Sequence, residues 1–141
     1  MKTRKKRPVN KKTRRKRPLF WSSLVFTTNM IHAFIIGLYF YSFCFASLTI
    51  TSLVVHTEYN IFTNVLDKCA IASIILYGGY RMWSKIDGSS RNHCLLFVCV
   101  LTFFASIGTY FYNTFMIKHN PIYHSVMHYI SSFGHHIILL L

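Results

Sequence analysis

From Leu19 to Val55 the chain runs for 37 residues without a lysine, arginine, aspartate or glutamate. That is too long for one straight bilayer span of about 20 residues and barely long enough for two with a turn. Asn29 and His32 are its most polar points, and Gly37 is its one glycine. The pattern predicts an interfacial stretch, Leu19 to Thr28, with Trp21 at headgroup level, and then a single span over 30–55. A polar loop, HTEYNIFTN, follows. The next apolar runs predict spans over 66–83, 94–116 and 122–140. They are separated by the turn SKIDGSSRN and the connection KHNP, with Pro121 suited to the first turn of the last helix. The fold class predicted is all-α: an integral membrane bundle of about four transmembrane helices over 19–141.

Composition agrees. The chain is 52% hydrophobic and 13% charged, against about 25% charged for a soluble domain. Eleven of its 16 basic residues lie between Lys2 and Arg17, and no acidic residue precedes Glu58, so the net charge of +13 belongs mainly to the N-terminus. Residues 1–18 read as a disordered basic arm, because Pro8, Pro18 and self-repelling charge oppose regular structure. The arm lacks interleaved aromatics, which argues against a specific nucleic-acid partner. It suits anionic lipid headgroups, each basic residue near the surface adding about 1 kcal/mol. With the arm in the cytoplasm, the four-span parse puts Arg81, Lys85 and Arg91 on the same side, as the positive-inside rule requires of a multi-pass protein. Splitting Leu19–Val55 into two spans would separate the two basic groups. The cysteines Cys44, Cys69, Cys94 and Cys99 form no C-x-x-C pair and read as buried small hydrophobes, with no disulfide.

Five polar residues stand out within the apolar segments: Ser52, His56, Asp67, His124 and His128. Ionisable groups in a bilayer normally face the bundle interior and serve a function. Ser52 and His56 are four apart, as are His124 and His128, so each pair shares a helix face. The parse puts all five in one membrane layer. Three imidazoles can bind zinc and leave a fourth position for water. The metal lowers the pKa of that water to about 7 and polarises a carbonyl. A carboxylate such as Asp67 could orient or deprotonate the water, and the Ser52 hydroxyl could donate to an oxyanion.

This constellation resembles the superfamily of zinc-dependent membrane hydrolases comprising alkaline ceramidases, adiponectin/progestin receptors and GPI-lipid-processing enzymes. The matching pieces are Ser-x-x-x-His in TSLVVH, the aspartate of NVLDKCA eleven residues after His56, and His-x-x-x-His in YHSVMHYISSFG. The short interval and the small residues after His128 are most similar to the ceramidase branch. The resemblance implies that His56, His124 and His128 ligate zinc and that Asp67 holds or activates the water. It implies a second-shell or oxyanion role for Ser52, and a lipid amide or ester, ceramide-like or another acyl lipid, as substrate. Family members have seven spans, and Lys68 and Cys69 stand where the ceramidases often carry an acidic residue and proline.

Two other functions fit the same residues. One is a non-catalytic membrane protein that keeps the site as structural metal or polar glue. The other is a small channel-forming oligomer lined by histidines; a homo-oligomer would also supply cavity walls that four spans lack. His135 and His136 read as interhelical hydrogen bonders, His32 as structural, His93 and His119 as loop residues, and Glu58 as an alternative acid.

Overall fold

The structure is a computed structural model that describes residues 18–57, 60–86, 89–118 and 120–141. The basic arm over 1–17, Glu58 and His119 lie outside the described residues. Five helices are present: α1 Phe26–Ile35, α2 Tyr39–Thr57, α3 Ile61–Ser84, α4 Ser90–Phe111 and α5 Pro121–Leu139. A short helical stretch over 18–23 precedes α1. A π-helical turn, Tyr112–Met116, extends α4. There is no strand among the described residues. Three helices are long and apolar enough to cross a membrane: α2, α3, and α4 continued through Met116.

The helix ends are fixed by local chemistry. Asn60 caps α3, its side chain accepting from the Phe62 amide while the Thr63 hydroxyl accepts from the Asn60 amide, which satisfies two orphan donors reciprocally. The Asn120 side chain caps α5 by accepting from the Ile122 amide, with Pro121 in its first turn as expected. Asn113 of the π-turn accepts from the Asn120 amide at 2.7 Å and so ties the end of α4 to the start of α5. Arg91, Asn92 and His93 lie in the first turn of α4 rather than in a loop.

The long uncharged stretch departs from expectation. It makes two helices, not an interfacial segment and one span. Gly37 takes φ +79, a left-handed conformation open to glycine at little cost, and the chain reverses there. Ser42, near the start of α2, then bonds back to the Met30 carbonyl of α1 at 2.9 Å. The stretch 18–23 and α1 are nearly continuous, the break at 24–25 being bridged by three-residue backbone bonds such as Val25 to Ser22. Pairings of Ser22 with His128, Asn29 with Ser132, and His32 with His136 show that this run lies parallel to α5. The junction with the basic arm therefore sits at the end of the bundle that holds His128. The turn between α3 and α4, with Lys85 and Arg91, sits at the other end. The four-span parse had no reversal at Gly37 and put the residue that follows the arm and the α3–α4 turn on one side; in the bundle they lie at opposite ends, because the chain crosses it once more than the charge pattern allowed for.

The bundle buries polar side chains beside its apolar core, and it exposes large apolar ones. Ser22, Ser23, Asn29, Ser52, Asp67, His128 and Ser132 are buried, while Phe97, Leu101, Phe104, Leu76 and Phe115 are exposed. That distribution suits hydrocarbon solvent and is the reverse of a water-soluble domain. α5 lies at the centre, touching α1, α3 and α4. All four cysteines are free; Cys44 and Cys99 are buried, whereas Cys69 and Cys94 are exposed. At Gly134 of α5 the Thr102 side chain of α4 occupies the space a β-carbon would need. Gly134→Val should therefore push α4 off α5 and cost about 1–3 kcal/mol, read as a lower thermal midpoint in detergent, with partial recovery in the Gly134→Val/Thr102→Ala double variant.

Candidate metal site

The site is built by α2 and α5, which run antiparallel. The last turn of α2 carries His56 and the first two turns of α5 carry His124 and His128. One helical turn separates His124 from His128, so the two rings meet edge to face along one side of α5, next to His56 of α2. Ring centroids lie 4.8 Å apart for His124 and His128, 5.3 Å for His56 and His124, and 5.6 Å for His56 and His128. One ring nitrogen from each residue falls within 4.8 Å of the others. Tetrahedral zinc with Zn–N bonds of about 2.0–2.1 Å needs its nitrogens about 3.3–3.4 Å apart. Small side-chain rotations close that difference. His128 is 4% exposed, while His56 and His124 are half-buried, so the cluster is open on one side.

Three nitrogen donors facing one point form a coordination set for a borderline metal ion, with no carboxylate in the group itself. The residues present can hold a metal. His128 is fixed by neighbours from outside the set. Its Nδ1 is 2.9 Å from the Ser22 hydroxyl, and the Phe26 ring packs edge-on against it with centroids 5.4 Å apart.

Asp67, buried in the second turn of α3, is held by α2. Its Oδ1 accepts from Ser52 at 2.7 Å and from Thr51 at 3.2 Å. Both bonds fall on one oxygen, which leaves Oδ2 as the carboxylate's free acceptor capacity. The Ser52 hydroxyl proton is thereby directed at Asp67, which matches the supporting role of the two that the resemblance implied for Ser52. Ser52 and His56 are on the same face of α2 one turn apart, and this strip links Asp67 to the imidazoles.

All five residues singled out in the sequence thus come to one end of the bundle. Ser22 and Thr51 were not singled out. Thr51 offered no signal apart from the hydroxyls around it. Ser22 lies in a segment whose hydropathy reads as a surface stretch, and only the reversal at Gly37 brings it to His128. Three further histidines join helices elsewhere: His135 pairs with Tyr41, and His136 with both Thr28 and His32. No protein-family model, curated protein or solved structure matches the chain.

Removing a buried carboxylate's hydroxyl partner strands part of its hydrogen-bonding capacity. Ser52→Ala should cost about 1–3 kcal/mol, and Ser52→Thr, which keeps the hydroxyl, much less. Chemical unfolding in mixed micelles measures both.

Proposed function

We propose that this is a multi-pass membrane hydrolase that uses zinc at His56, His124 and His128 to cleave a lipid amide or ester. The observation that carries the reading is the convergence of those three imidazoles from two helices, with a buried carboxylate, Asp67, held by Ser52, which lies one helical turn from His56. Zinc in such a site supplies a Lewis acid for a carbonyl oxygen and an activated water at neutral pH. His56 and His124, being half-buried, line the side from which a substrate would approach. His128, fully enclosed, anchors the set to the bundle core. Asp67, with Oδ1 committed to Ser52 and Thr51, presents Oδ2 as the proton acceptor, and later returns that proton to the leaving amine or alkoxide. The apolar outer faces of α3 and α4 are compatible with acyl chains lying against the bundle. The basic arm, joined to the bundle at the site's own end, would rest on anionic headgroups there and hold the mouth of the site at the lipid surface.

Metal analysis of protein purified in detergent should give one zinc per chain, and His124→Ala or His128→Ala should lose it. With zinc present, hydrolysis of a short-chain fluorescent ceramide or an acyl-ester analogue should fall about 10²–10⁴-fold in Asp67→Asn, with zinc content unchanged. Zinc bound without turnover of any amide or ester lipid would leave a structural metal site in place of an enzyme.

A further inference from the structure

We propose that Ser22 sets the tautomer and the facing of His128, so that the helical stretch joining the basic arm to the bundle is part of the metal site. The inference rests on the metal reading above and extends the site to a residue 106 positions away in sequence. Ser22 is fully buried. Its Oγ lies 2.9 Å from His128 Nδ1 and 3.1 Å from the carbonyl oxygen of Leu19. A hydroxyl carries one proton and two lone pairs. The Leu19 carbonyl can only accept; with the Ser22 proton given to it, as proposed, a lone pair faces His128. His128 Nδ1 must then be the donor and carry the ring proton. A neutral imidazole protonated at Nδ1 has its only in-plane lone pair at Nε2. His128 can therefore ligate a metal through Nε2 alone.

The remaining freedom of the ring is removed by packing. Phe26, one turn after Ser22 on the same helical run, meets the His128 ring at an interplanar angle of 61°. Serine on one edge and phenylalanine against the ring fix both which nitrogen faces the metal and where it points. Partners of this kind orient metal-bound histidines, and their loss usually weakens metal binding by about 10–100-fold. Ser23 provides an internal control. It is equally buried, its hydroxyl bonds the same Leu19 carbonyl at 2.9 Å, and that carbonyl is its side chain's only hydrogen-bond partner among the described residues.

Two measurements on the full chain in detergent micelles test this. In metal-free protein with ¹⁵N-labelled histidine, the His128 ring signals, assigned by their absence in His128→Gln, should report a proton on Nδ1. In titrations of zinc against a competing chelator, Ser22→Ala should bind about 10–100-fold more weakly than wild type. Ser22→Thr should stay close to wild type, and Ser23→Ala should bind as wild type does. A His128 proton on Nε2 overturns the proposal. So does Ser22→Ala binding zinc as tightly as wild type, or Ser22→Ala and Ser23→Ala weakening it equally, which would mark a general loosening of the segment. Wild-type protein that takes up no zinc overturns the metal site and this inference together. Zinc in the wild type with an indifferent Ser22→Ala overturns the inference alone.

Discussion

Hydrocarbon offers no hydrogen bonds, so every polar group these helices carry must find its partner inside the bundle. That constraint organises the whole molecule. α5 carries Ser125, His128, Ser131, Ser132, His135 and His136, and five of these six bond to another helix: His128 to Ser22, Ser131 to Ser106, Ser132 to Asn29, His135 to Tyr41, and His136 to His32 and Thr28. Ser125 bonds back to its own helix at Pro121. Each interhelical bond is worth only about 0.6 kcal/mol on average in a membrane protein. Their value lies in register, since a slip of α5 by one residue would strand all of them at once.

The same requirement explains why a cluster of ligands can form at one end. A seam of polar side chains fixes α1, α2 and α5 relative to one another, and close packing at Gly134 against Thr102 fixes α4. His56 and His124 then meet as a result of register set further along the bundle. Asp67 is brought in by a separate lock, the Ser52 and Thr51 hydroxyls, which pins α3 to α2 at the level of the site. The site is rigid where His128 and Asp67 are buried and open where His56 and His124 reach the surface. An anchored ligand, an oriented carboxylate and an open side are the arrangement that hydrolysis of a membrane lipid would need.

Much of this was legible in the primary structure, and the reasons are specific. Helical class and the second and third apolar runs follow from hydrophobic length, which a bilayer fixes at about 20 residues; the fourth run, expected as a span, is helical, but α5 is not among the three helices long and apolar enough to cross a membrane. The pairing of Ser52 with His56 and of His124 with His128 follows from helical periodicity. The placement of Asp67 at the same end follows from the short loop between α2 and α3. The interhelical roles of His135 and His136 followed from their depth in the last apolar run, about two to three turns beyond His128.

What the sequence could not decide is how the first 37 uncharged residues are divided, because hydropathy measures length and says nothing of direction. Gly37 marked the reversal, but one glycine in an apolar run is weak by itself, and loop charge argued against a split. Only the packed bundle shows that the run beginning at Pro18 travels alongside α5, that Pro18 and the three clustered histidines share one end, and that Ser22 touches His128. Chain chemistry determined which residues must be hidden from lipid. Tertiary packing decided which of them meet, since a hydrogen bond between helices depends on the depth and rotation of both, and neither is written in one helix alone.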